Sequence, residues 1–63
     1  MNAKEIALKT YSLQIKEGND YRMLAWSLSR RDIDNATEAQ KFQTPNAELR
    51  ILRGSTVVKQ INQ

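Results

Sequence analysis

The chain has 63 residues, 40% of them apolar and 27% charged, with ten Lys and Arg against seven Asp and Glu for a net charge of +3. It contains no cysteine and no histidine, which excludes disulfides, thiolate metal sites and the commonest metal ligand and general base. No Ser-His or Cys-His pair and no glycine-rich phosphate loop can be assembled, so neither enzymatic chemistry nor a cofactor is expected.

One domain spanning residues 1–63 is expected. A core of this size supplies roughly 3–5 kcal/mol, so without staples the fold rests on good local design or on a homodimer. The pI near 9.6 is mildly basic, short of the dense cationic stripe of a committed nucleic-acid binder. No apolar run approaches the ~18 residues of a membrane span, and no secretion signal opens the chain. A cytoplasmic life, away from membranes, is the expectation.

In chain order, residues 2–9 are ambiguous. Asn2 with Glu5 resembles a capping box, and Leu8, Tyr11 and Ile15 would continue it as a helical stripe. Against that, Tyr11, Leu13 and Ile15 alternate with Ser12, Gln14 and Lys16, as in a strand. Glu17-Gly18-Asn19-Asp20 is a turn on either reading. Tyr21, Leu24, Ala25 and Leu28 also fall at helical spacing, so a mostly helical chain with a C-terminal hairpin is the alternative.

Register favours a hairpin. Closing the loop at Gly18-Asn19 pairs Lys16 with Tyr21, Ile15 with Arg22, Leu13 with Leu24 and Tyr11 with Trp26. Directly opposed residues share a sheet face, so Tyr11, Leu13, Ile15, Leu24 and Trp26 gather on one side. Ser12, Gln14, Lys16, Tyr21, Met23 and Ala25 gather on the other. This predicts Trp26 at the centre of the core, and leaves Lys16, Tyr21 and Met23 on an open face suited to a partner.

From Ser29 a helix is predicted, with Ser29 as N-cap and Asp32 at its third position. Ile33, Ala36, Ala39 and Phe42 are assigned to its apolar face, and Pro45 ends it. Residues 47–61 read as a second hairpin closed at Gly54-Ser55, pairing Leu52 with Val57, Ile51 with Val58 and Arg50 with Lys59. No repeat, linker or low-complexity segment is read. The predicted fold is α+β, a small antiparallel sheet with one helix packed on it, in the order β-β-α-β-β.

Asp32 and Asp34 start like a calcium loop, but Ala36, Thr37 and Gln43 stand where that loop needs a ligand, a glycine and a glutamate. Arg30 and Arg31 fall in the first helical turn, where the dipole favours anions. They are candidate contacts for phosphate or acidic side chains, extended by Lys16, Arg22, Arg50, Arg53 and Lys59.

At Ala25-Trp26-Ser27-Leu28-Ser29 the chain carries an A-x-S-L-S pattern between strand and capped helix, followed by a hairpin. In this pattern and in element order over residues 10–61, it resembles small phage anti-CRISPR proteins directed at type I effector complexes. The resemblance implies an inhibitor without catalysis that binds a host ribonucleoprotein complex and blocks target DNA, and it transfers no contact residue. A small DNA- or RNA-binding regulator is the alternative. The partner-binding surface expected from the residues combines Lys16, Tyr21, Met23, Arg30, Arg31, Arg50 and Lys59.

Overall fold

The computed structural model describes residues 2–62. Six elements run in the order α1 (Ala3–Lys9), β1 (Tyr11–Glu17), β2 (Asp20–Ser27), α2 (Arg30–Gln43), β3 (Glu48–Arg53) and β4 (Thr56–Asn62). The fold is α+β, with one four-stranded antiparallel sheet ordered β2-β1-β3-β4 and α2 lying across β1 and β2. It differs from the expected β-β-α-β-β by one helix, α1. There the capping box is real: Asn2 accepts a 2.9 Å hydrogen bond from the Glu5 amide. Strand alternation then takes over at Tyr11, so both competing signals operate, one after the other.

Each hairpin closes through a two-residue loop whose first residue is a glycine at positive φ, 63° at Gly18 and 60° at Gly54. Asn19 and Ser55 stay at negative φ. Positive φ at the first loop residue alone is the type II′ pattern, whose twist matches that of paired strands. The run Leu-x-Ile-x-x-Gly occurs at residues 13–18 and again at 49–54. It is a short internal repeat that element-by-element reading passes over. Its two copies lie side by side and antiparallel, with Leu13 opposite Ile51 and Ile15 opposite Leu49. These four side chains, none more than 9% exposed, form the middle of the core, joined by Ile33 of α2 and Ile61 of β4.

Both hairpins keep the predicted pairing near their turns and lose it further out. Lys16 faces Tyr21 and Ile15 faces Arg22 as expected, but Leu13 faces Ala25, with Leu24 the extra residue of a bulge. Leu24 and Ala25 both pack against the core, and every later residue of β2 changes face. Trp26 therefore stands opposite Ser12 rather than Tyr11 and is 64% exposed. The expectation of a core tryptophan is overturned. In β4, Leu52 faces Val57 as predicted, but a bulge at Val58 sets Ile51 against Lys59 and Arg50 against Gln60. That slip turns Ile61 inward opposite Leu49. The two bulged strands, β2 and β4, are the two edges of the sheet, where bulges disfavour pairing with foreign strands.

Helix α2 buries Ile33 and Thr37, with Ala36 partly buried beside them. The Thr37 hydroxyl is satisfied by donating to the Ile33 carbonyl at 2.7 Å. Phe42, assigned to this face from sequence, is 93% exposed. Nine residues at about 100° each place it on the opposite side of the helix from Ile33. No helix among the described residues is long and apolar enough to cross a membrane.

Candidate functional site: the open sheet face

Alternation in the sheet sends the core residues toward α2 and their neighbours to the far face. That far face carries Ser12, Gln14 and Lys16 from β1, with Tyr21, Met23 and Trp26 from β2, Glu48, Arg50 and Leu52 from β3, and Val57 and Gln60 from β4. The sequence-predicted residues Lys16, Tyr21, Met23 and Arg50 are thus brought together. Arg50 stacks its guanidinium 3.6 Å from the centre of the Tyr21 ring and donates to the Gln14 side-chain oxygen at 2.6 Å. Lys16 is ion-paired with Glu48 at 3.3 Å. The charged members of this face are therefore engaged within it, and they fix a polar half beside an apolar one.

The apolar half centres on Trp26 and Met23, which is 54% exposed. With Ala7, Thr10, Ser12 and Gly54 they line a groove of about 380 Å³, one wall of which is α1. Gly54 permits this closure: its amide donates to the Thr10 carbonyl at 2.9 Å, and a Cβ there would lie 3.1 Å from the Leu8 carbonyl oxygen. Sequence reading assigned Met23 to this face and missed Trp26, because no single residue type announces a bulge.

The other predicted residues lie elsewhere. Lys59, opposite Ile51, is on the α2 side of the sheet. Arg30 and Arg31 open α2. Arg30 donates to Asp34 at 3.0 Å and lies 5.7 Å from the Tyr11 ring, whereas Arg31 is exposed. The serines of the A-x-S-L-S pattern serve the helix entry. Ser29 accepts from the Asp32 amide, while Ser27 accepts from the Ser29 amide and donates to the Asp32 carboxylate. The pattern has a local structural cause in capping. Among the described residues no group of three or more acidic, His or Cys side chains gathers as a metal site.

Comparison with known protein families, curated proteins and solved structures gives no match.

Proposed function

We propose that the protein is a non-enzymatic binding module that docks a protein surface onto its open sheet face, with Trp26 as the anchor. The observation that carries this reading is the exposure of Trp26 beside Met23 in a groove, in a chain with so few large side chains to spare. An aromatic and a thioether, rimmed by side chains already paired, have the composition of a protein–protein hot spot. A phosphate-tracking face would instead offer free cations, and Lys16 and Arg50 are committed.

The resemblance to anti-CRISPR proteins supports a more specific reading, in which the docked surface belongs to a host ribonucleoprotein effector complex. The module then acts as a phage-type inhibitor by occupying a surface the complex needs for target DNA. A purified type I effector complex, immobilised and titrated with the chain, tests this. Binding with loss of target-DNA capture is expected. Trp26→Ala should weaken binding by about 2 kcal/mol or more, roughly thirtyfold. Absence of binding defeats the choice of partner, and full binding by Trp26→Ala defeats the choice of surface.

A further inference from the structure

The net charge of the chain is localised. Residues 1–48 hold seven Lys and Arg and seven Asp and Glu, so they cancel; residues 49–63 hold Arg50, Arg53 and Lys59 with no acid at all. The whole +3 therefore belongs to residues 49–63, which is the second hairpin without its first residue, Glu48. Arg50 is taken up on the open face by Tyr21 and Gln14. Arg53 and Lys59 lie on the other face, the α2 side, since Arg53 is opposite Tyr11 and Lys59 is opposite the core residue Ile51. On this face Leu49, Ile51 and Ile61 are buried in the core, while Arg53 and Lys59 are exposed beyond it. Neither has a carboxylate partner among the described residues.

The surroundings of Arg53 suit an anion. Its guanidinium lies 6.0 Å from the Tyr11 ring centre, and that of Arg30 lies 5.7 Å from the same ring. Beside it a cleft of about 260 Å³ is lined by Leu8, Arg53, Ser55, Thr56 and Val58. This is several times the roughly 30 Å³ taken by one water, so a phosphate group fits. Ser55 and Thr56, both exposed, carry the hydroxyl groups among its lining residues. Lys59 stands two residues along the sheet and one strand over from Arg53, about 8 Å between Cα atoms from strand spacings. Two long cations at that separation reach neighbouring phosphates of one strand. On α2, Asp32 and Asp34 are held by Ser27 and Arg30 respectively.

We propose that the α2-side face of the β3–β4 hairpin binds the phosphodiester backbone of a nucleic-acid strand, with Arg53 and Lys59 as phosphate contacts and Ser55 and Thr56 as hydroxyl donors. The site lies across the sheet from Trp26, so it stands whether or not that surface docks a protein. Contacts of this kind are sequence-independent and strongly salt-dependent.

The test is fluorescence anisotropy of labelled single-stranded RNA and single-stranded DNA oligonucleotides, titrated with the full chain at several salt concentrations. Two phosphate contacts predict a log–log salt slope of about −1.4 for a single strand. Arg53→Ala with Lys59→Ala should abolish most of that slope and weaken low-salt binding at least about tenfold, whereas Arg53→Lys with Lys59→Arg should retain both. Circular dichroism of each variant confirms that the fold is kept. Equal binding of RNA and DNA supports backbone recognition alone, and preference for RNA supports an added contact to the 2′-hydroxyl. No binding at low salt, or undiminished binding by the alanine pair, overturns the proposal. So does loss of binding on Trp26→Ala, which would move the site to the other face.

Discussion

Gly18 and Gly54 hold the same backbone conformation at the first position of equivalent turns, yet a methyl group added to each meets different surroundings. At Gly18 nothing lies within 4 Å of the added carbon. Gly18→Ala should therefore cost only the conformational penalty of a positive φ, about 1–2 kcal/mol. At Gly54 the same carbon presses on the Leu8 carbonyl oxygen and on the Leu8 Cα, 3.3 Å away. Backbone atoms cannot rotate aside, and α1 has no buried residue to hold it in place, so the helix gives way. Gly54→Ala is expected to lose the same 1–2 kcal/mol and also to detach α1. Amide hydrogen exchange checks this: the Ile6 and Thr10 amides should exchange faster in Gly54→Ala and at the wild-type rate in Gly18→Ala. Equal exchange in the two variants would remove Gly54 as the residue that seats the groove wall.

Among the elements, the two edge strands decide which side chains the molecule shows. Each carries one residue more than its partner, and that residue sets which way the rest of the strand faces. Deleting Val58 would remove the bulge and leave the pairs beyond it in place, with Lys59 opposite Ile51 and Ile61 inward opposite Leu49. Ile61 is 8% exposed and packs with Leu49. Losing it from the core should cost about 2–5 kcal/mol, comparable to truncating a buried isoleucine. That is most of what so small a core supplies, so a urea melt of Ile61→Ala should show little or no cooperative transition, whereas the Val58 deletion should keep one. The same feature explains how much could be read from sequence. Turns, caps and the pairings next to the turns were legible because glycine, serine and asparagine signal them locally. Beyond the bulges the alternation continues in a shifted phase that no residue marks, so Trp26 was placed on the wrong face and Ile51 was paired with Val58 in place of Lys59. Phe42 failed for a different reason. Apolar spacing was followed for nine residues, by which point a straight helix has turned its back. Of the candidate site, Lys16, Tyr21 and Met23 share a face as read, since their register is counted from a turn; Arg50 joins them through the pairing of β1 with β3, which no turn marks.

The whole molecule is a thin slab, 38 × 25 × 15 Å, and thinness bears on whether its open face meets a copy of itself. Four strands about 4.8 Å apart and some seven residues long present roughly 19 by 24 Å, or about 450 Å² in plan. Two such faces together bury about 900 Å², short of the roughly 1,200 Å² at which stable interfaces begin. The like charge of two +3 chains opposes the contact further. A larger, concave partner escapes this limit because it can wrap past the flat face onto α1 and the edge of β2. A second copy, equally flat, cannot. The chain alone is therefore expected to be a monomer, with its stability carried by its own core. Its urea midpoint should stay constant over about a hundredfold range of protein concentration, whereas an obligate dimer gains stability with concentration by mass action. A midpoint that rises with concentration in the wild type but not in Trp26→Ala would show that the anchor proposed for a foreign partner serves self-association instead.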